Sequence, residues 1–474
     1  MQYKWTVLTV TTIGVLMSGV DGRIVLIGLP VVAASLHADA EQAIWFTQAY
    51  TVGSTVALLF IGRVSDMFGR VKVYSIGFTL FTIGSALVGL SSSPDYFIIA
   101  RISQGLGSAA LFSNSAAIIT DAFPKEELGT ALGINQIAFR AGSMFGLTMS
   151  GIILAFLAWP YLFYINVPIG LFGTVWAYRR LKEVGVQERT APMDWWGFVT
   201  FTIFMTSLLL ALTFAAYGLS ETTDVLLLLL VSLISLVLFV RVERRRQHPL
   251  LDLSLLKIRE FTGGIVTQLM NSVAWGSFLL LMSLYLQLVQ GYSPLKAGFA
   301  VLPFDFAFLA SGPLSGKFSD RYGTLPFITA GLALISISLM LFSTFVMGTS
   351  YAIIAFTLIL GGLGNGLFAS PNMSSIMGAA PAARRGVASA VRATFFNVGY
   401  TLSFNLVILV MAFSLPYSLI TQVISSANPA ALPAISRTLF SLGLDRASLV
   451  MAVINASAII PSLLRGKRVP EPEE

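Results

Sequence analysis

A charged side chain inside an apolar helix is costly, so the few that this chain keeps there are the first places to look for chemistry. They are Asp21, Arg23, Arg101, Arg140, Asp305 and Arg392. A carboxylate in such a setting can take up and release a proton, because desolvation favours its neutral form and a nearby cation favours its charged form. Asp21 and Asp305 come from opposite halves of the chain, on segments that can both face a central cavity. Two readings of Asp21 stand side by side, a proton carrier and one member of a permanent pair with Arg101 or Arg23. Asp305 follows Pro303 and has no basic neighbour in its own segment, so it is expected to handle a proton or cation. Arg101 lies about a turn and a half into its segment and can snorkel outward, although Gln104-Gly105 beside it favours a place in the proton path. Arg140 stands eleven positions after Gly129, about 16 Å along a helix and near mid-membrane. It can bind an anionic substrate or hold Asp21 ionised. Arg392, six positions after Gly386, reads as snorkelling to the inner face.

A second kind of chemistry belongs to the loop Gly62-Arg63-Val64-Ser65-Asp66-Met67-Phe68-Gly69-Arg70-Val71-Lys72, whose skeleton returns as Gly316, Asp320, Arg321 and Gly323. Asp66 at a helix end can accept donors from a neighbouring helix N-terminus, while Arg70 forms an inter-helix ion pair. Gly62, Asp66, Gly69, Arg70, Gly316, Asp320 and Gly323 are therefore expected to act as a conformational latch. The plainer reading is a membrane stop with ordinary inner positive charges. Trp45, Tyr50, Phe139, Trp275, Tyr285 and Phe304 can line an adaptable apolar cavity, with Arg23, Tyr50, Gln104, Arg140 and Trp275 as the expected substrate contacts.

Other chemistries are missing their parts. Zero cysteines exclude disulfides and thiolate sites, and two histidines, His37 and His248, make no metal cluster. Gly361-Gly362-Leu363-Gly364-Asn365-Gly366 lacks the Lys-Ser/Thr ending of a nucleotide loop and sits within an apolar run, where close helix packing explains it. No nucleophile and base can be assembled, so neither an enzyme nor a bound cofactor or metal is expected.

The elements that must position these residues are membrane helices. With 56% hydrophobic and 11% charged residues in 474, the chain offers about fourteen apolar runs, each near the ~20 residues that cross a bilayer. The expected fold class is all-α integral membrane. The net charge of +7 does not point to nucleic acid, because the bases collect in alternate loops, including Arg179, Arg180, Arg241, Arg244, Arg245, Arg246 and Lys317. That bias places both termini in the cytoplasm. The spans expected are 6–30, 43–62, 72–90, 96–119, 129–157 and 161–180, then 195–217 and 225–240, then 261–288, 297–316, 326–347, 351–376, 386–415 and 447–465. Gly62 and Gly316 are 254 positions apart, and Gly105 and Gly362, like Gly129 and Gly386, are 257 apart. Such agreement implies a six-plus-six duplication with two helices inserted. The domains expected are an N-terminal six-helix bundle over 1–182, linkers and two inserted helices over 183–260, and a C-terminal six-helix bundle over 261–474. Leu226–Leu230 is expected to face lipid. The stretch Arg241–Glu260 reads either as an amphipathic piece on the inner interface or as a linker. The outer loop from Leu415 to Asp445 reads as irregular, and the tail Pro470–Glu474 as disordered.

The loop Gly62–Lys72 resembles the cytoplasmic signature of the major facilitator superfamily, and the resemblance extends over nearly the whole chain. Arg101-Ile102-Ser103-Gln104-Gly105 is similar to the family element attributed to proton handling in drug exporters. Asp21–Pro30, Trp45 with Tyr50, Phe163–Gly170, Asp194-Trp195-Trp196-Gly197 and Pro249–Asp252 resemble the fourteen-helix drug:proton antiporter branch. Two departures stand out: Arg23 and Leu26 replace that branch's usual Thr and Asn, and its fifth-helix motif survives only as Gly142, Gly146 and Gly151, without the proline and one glycine. The resemblance implies two six-helix bundles with two added central spans. It further implies a plasma-membrane, proton-coupled exporter of amphipathic or drug-like molecules that works as a monomer. Its partners would be a small-molecule substrate, protons and the lipid bilayer. The alternatives are an organic-anion carrier of the same fold, suggested by four intramembrane arginines against two aspartates, and a transport-inactive membrane sensor.

Overall fold

A computed structural model describes residues 3–183, 194–217, 222–246, 249–251, 253–381, 385–416, 419, 420, 423 and 433–465. His248, Asp252 and the tail lie outside them. Lipid offers no hydrogen bonds to a bare backbone, so the apolar runs fold as helices that bond internally. In chain order these are α1 (Tyr3–Ser35), α2 (Ala40–Phe68), α3 (Arg70–Gly89), α4 (Pro94–Ala122), α5 (Lys125–Phe156), α6 (Tyr161–Tyr164), α7 (Asn166–Arg180), α8 (Trp195–Tyr217) and α9 (Thr222–Arg245). They continue as α10 (Arg259–Trp275), α11 (Phe278–Leu284), α12 (Pro294–Ala300), α13 (Leu302–Tyr322), α14 (Thr324–Phe342), α15 (Tyr351–Ala379), α16 (Arg385–Ala412), α17 (Ala434–Ser457) and α18 (Ile459–Leu464). Taking α6 with α7, α10 with α11, α12 with α13 and α17 with α18, they fall at the fourteen expected places. Eleven helical segments among the described residues are long and apolar enough to cross a membrane.

Helix ends follow local chemistry. Asp39 accepts from the Gln42 amide at 2.8 Å and Gln42 answers to the Asp39 amide at 3.2 Å, a reciprocal cap that starts α2. Ser93 caps α4 with Pro94 in its first turn. Asp194 accepts from the Gly197 amide at 3.0 Å and so opens α8. The break between α12 and α13 falls at Val301, where Pro303 in the first turn of α13 has no N–H to continue the ladder.

The chain divides into two compact units. The first takes Met1–Met205, Leu286–Phe299 and Ser418–Leu432, and the second Thr206–Tyr285, Ala300–Tyr417 and Pro433–Glu474. In the first, α1 lies along α5, and α4 lies against both α2 and α3. In the second, α10 lies along α16, and α15 lies against both α13 and α14. The same pairing scheme thus appears twice. Water does not drive helices together within lipid, so close backbone approach matters more than apolar burial. Gly142 and Gly146 rest on the α1 backbone at Leu16 and Val20, where any side chain would collide. What remains of the fifth-helix motif is a packing seam.

The structure refines three readings. Leu226, Leu227, Leu229 and Leu230 are exposed on α9, as a lipid-facing helix requires. Leu251 and Leu255 are buried, so the short 3-10 turn Leu253–Lys257 packs on the second unit instead of lying free on an interface. The loop expected from Leu415 to Asp445 is shorter, since α17 begins at Ala434 and Asp445 lies well inside it; most of 417–432 lies outside the described residues.

Candidate functional site

Four helices of the first unit bring their polar side chains to one sealed point. α1 supplies Asp21, α4 supplies Arg101 and Gln104, α7 supplies Asn166 and α3 supplies Ser85; each is 1% exposed or less. Arg101 Nη1 donates to Asp21 Oδ2 at 2.5 Å and to Gln104 Oε1 at 2.6 Å. Gln104 Nε2 donates to Asp21 Oδ1 at 2.7 Å and to Ser85 Oγ at 2.8 Å, and Asn166 Nδ2 reaches Asp21 Oδ1 at 3.0 Å. Arg101 Nε donates to the Phe46 carbonyl at 3.2 Å. The guanidinium lies 4.5 Å from the Tyr50 ring centre and 5.6 Å from that of Phe163, and rings at this range attract a cation through their faces. Tyr50 Oη is itself held by Ser108 Oγ at 2.6 Å and the Ser18 carbonyl at 3.2 Å.

Periodicity explains the convergence. Arg101 and Gln104 are three residues apart, hence neighbours on one face of α4. That face turns inward, so Arg101 is buried beside Asp21 and does not snorkel to the outer surface. Burying two charges is tolerable only when each is paired and its remaining hydrogen-bonding capacity is met. Here Asp21 accepts three bonds and Arg101 donates three. Tyr50 and Gln104, expected as substrate contacts, belong to this network. Asn166 and Ser85 were not singled out for it by sequence, although Asn166 sits in a quoted branch motif and is the first residue of α7.

The end of the first unit where α2 passes into α3 carries a second polar set. Arg70 Nη1 pairs with both oxygens of Asp121, at 2.8 and 3.0 Å, tying the start of α3 to the end of α4. Glu183 Oε1 accepts from the Arg70 amide at 2.6 Å and its Oε2 from the Val71 amide at 3.1 Å, a carboxylate cap on α3. Gly69 makes the reversal between α2 and α3 at φ 104°, and Gly323 makes the matching one between α13 and α14 at φ 85°, a region that favours glycine. Asp66 and Asp320 lie in the last turns of α2 and α13, but their side chains, like that of Arg63, lie outside the described residues. Gly62 and Gly316 lie one turn or more before them within the same helices. Sequence reasoning missed Asp121 and Glu183, whose distance along the chain gave no signal.

The remaining candidates belong to neither set. Asp305 is buried in the first turn of α13, where a negative charge is favoured by the helix dipole whatever else it does. Trp275 ends α10, stacked on Phe278 at 4.0 Å and Phe304 at 5.5 Å between ring centres. Arg140 is exposed halfway along α5, on the side opposite the Gly142–Gly146 seam with α1. Arg23 is half-buried on α1. In the second unit one buried cluster is neutral: Asn271 Nδ2 donates to Asn455 Oδ1 at 2.9 Å, and Asn455 Nδ2 to the Leu332 carbonyl at 2.9 Å and Ser336 Oγ at 3.0 Å. No group of histidines and acids able to hold a metal is found among the described residues.

The chain is similar to known proteins. The pattern of the Major Facilitator Superfamily matches residues 11–404. The riboflavin transporter RibZ of Clostridioides difficile is 31% identical over 402 residues, covering 85% of this chain and 87% of that protein. Multidrug resistance protein Stp of Mycobacterium tuberculosis is 30% identical over 398 residues, covering 84% of this chain and 74% of its own length. Among solved structures, that of an auto-inhibited peptide transporter of the POT family matches with a TM-score of 0.68 at 16% identity, over 98% of this chain and 96% of that one, which shows a shared fold.

Proposed function

The chain belongs to the major facilitator superfamily, and from that premise we propose that it is a proton-coupled exporter of amphipathic or drug-like small molecules working by alternating access. That it is a multi-pass secondary transporter and not an enzyme follows from the family itself. The finer reading rests on one observation, the sealed Asp21–Arg101–Gln104–Asn166 cluster. A proton arriving on Asp21 would cancel the charge that holds Arg101, and the four helices that meet there would no longer be drawn to one point. Asp305 is the second candidate carboxylate. Similarity to the multidrug resistance protein Stp supports export of foreign compounds, and similarity to the riboflavin transporter RibZ supports a flat aromatic substrate.

The same reading puts the protein in the plasma membrane as a monomer with both termini cytoplasmic, in the fourteen-helix drug:proton antiporter branch. It divides the chain into bundles 1–182 and 261–474 with two inserted helices between, and it assigns the latch to Asp66, Asp320 and their glycines. Substrate contacts are assigned to Arg23, Arg140 and Trp275, while Tyr50 and Gln104 act through the sealed cluster.

Purified protein in liposomes with an imposed pH gradient tests the coupling. Flux of ethidium and of riboflavin should follow the gradient in the wild type and lose that dependence in Asp21→Asn. Asp305→Asn should behave likewise if the second carboxylate carries a proton. Gradient-driven flux unchanged in both variants would remove proton coupling from this pair. Asp66→Asn should slow cycling without lowering the yield of folded protein, and normal flux would reject the latch.

A further inference from the structure

Among the described residues two arginines, Arg392 and Arg437, have a buried Nε without a hydrogen-bond partner; Arg437 stands in the first turn of α17, whereas Arg392 lies well within a helix. Arg101 is neutralised by Asp21. Arg465, at the end of α18, donates to Ser462 Oγ at 3.2 Å and Ser375 Oγ at 3.4 Å. Arg392, seven residues into α16, has its Nε buried without a hydrogen-bond partner, and its guanidinium makes no ion pair or hydrogen bond among the described residues.

The neighbouring helices do not supply the missing charge. α16 packs on α10, α15 and α17, whose described acidic residues are Glu260 and Asp445. Glu260 accepts from Ser375 at 3.0 Å, and Ser375 also receives Arg465. Arg446, next to Asp445, donates to Ser414 beyond the far end of α16. Ser414 is 22 positions from Arg392, about 33 Å of helix. The remaining charged groups on those helices, Arg259, Arg437 and Arg446, are cations.

Nor does the side chain leave for the lipid. Arg392, Gly399 and Ser403 lie within about 20° of one line along α16. Gly399 abuts the Leu269 carbonyl and Ser272, and Ser403 Oγ bonds the Ser277 amide at 2.9 Å and its Oγ at 2.8 Å. Arg392 therefore projects from the face that is pressed on the α10 side two turns further along. The expectation that it snorkels to the inner face does not account for a partnerless Nε buried on that stripe.

We propose that Arg392 is an anion-recognition residue, and that the protein carries amphipathic organic molecules bearing a carboxylate, sulfonate or phosphate. A guanidinium presents paired donors that match such an oxyanion, and a buried cation without a protein partner is compensated when one arrives. The inference rests on the reading that the chain moves small molecules, and does not depend on proton coupling.

The test uses full-length protein, wild type, Arg392→Gln and Arg392→Lys, in liposomes of phosphatidylcholine with and without phosphatidylglycerol. The probes are carboxyfluorescein, a sulfonated rhodamine and pyranine phosphate as anions, with riboflavin and ethidium as comparators. The wild type should bind at least one anion, and Arg392→Gln should bind it about tenfold more weakly or worse, the loss of one charged hydrogen bond. Arg392→Lys should fall between them, and comparator uptake should stay within about twofold, a change of ~0.4 kcal/mol. Equal losses for anions and comparators make Arg392 structural and overturn the proposal. So does a loss confined to liposomes with phosphatidylglycerol, which assigns the arginine to a lipid headgroup. Failure of the wild type to bind any anion overturns it as well, while riboflavin or ethidium uptake by the same sample leaves the transporter reading standing.

Discussion

The two units place different chemistry in matching frameworks. In the first, α1, α3, α4 and α7 converge on a buried ion pair, Asp21 with Arg101. In the second, α10, α14 and α17 converge on amides and a hydroxyl, Asn271, Asn455 and Ser336. Counted by the Gly105–Gly362 offset, Arg101 corresponds to Leu358 and Gln104 to Gly361. The backbone signal survives duplication, with Gly69 at φ 104° and Gly323 at φ 85°. A shared fold therefore tolerates either solution at the meeting point of its helices. Only the ionised one can change charge on a proton's arrival, which is why the proposed coupling is placed at the first cluster.

The largest expected effect comes from breaking the ion pair on one side only. Arg101→Ala leaves Asp21 as an uncompensated buried charge, a loss of about 3–5 kcal/mol when a buried pair is broken. The variant should fail to accumulate as a monodisperse species in detergent size-exclusion chromatography. Asp21→Asn with Arg101→Gln converts the site to the amide chemistry of the second unit and should restore folding while gradient-driven flux stays absent. Coupled flux in that double variant would collapse the contrast between the units.

Asn455→Ala should cost less, about 1–3 kcal/mol for buried partners left unsatisfied. Thermal melting should move down while the pH dependence of flux keeps its shape. A changed pH profile would give the neutral cluster a share in coupling. Next come the paired glycines. Gly69→Ala and Gly323→Ala each place a Cβ in a glycine-only region of positive φ, about 1–3 kcal/mol of strain. Comparable drops in melting temperature would show that the turns are still equivalent, and a flux defect in only one would identify the unit whose inner end moves. Smallest is Glu183→Gln, which weakens the cap on α3 by roughly 0.5–1 kcal/mol. The second unit has no counterpart to Glu183 among the described residues at the start of α14, so Gly323 variants should be indifferent to it in a double-mutant cycle read by melting.

Much of this framework could be read in advance. Apolar runs of membrane length fix helices because the alternatives leave backbone groups unsatisfied, and agreeing glycine offsets reveal the repeat. Asp21, Arg101 and Gln104 are conspicuous because charge within an apolar run is rare. Their partners are not: Asn166 and Ser85 are ordinary polar residues, and nothing at a separation of 145 positions announces that Asn166 will meet Asp21. Asp121 and Glu183 look like common loop acids until α3 and α4 are packed. Proline explained the break before α13 only afterwards, since Pro303 is equally compatible with an uninterrupted first turn.

One bond in the first unit sets a schedule. Gln287 Nε2 donates to the Ile27 carbonyl at 3.0 Å across 260 positions of chain, and Gly298 sits against the Leu147 carbonyl in the same unit. During synthesis, α1 to α7 leave the ribosome long before the segment that completes their packing exists. At about 5–20 residues per second the interval is on the order of ten to fifty seconds. Over that interval the donor that Gln287 adds at Ile27 is missing, and the α5 surface at Leu147 and Gly151 that later receives Pro294 and Gly298 is covered by provisional neighbours or by the insertion machinery. The first bundle is thus born unfinished, and its maturation is timed by translation of a distant stretch of the same message.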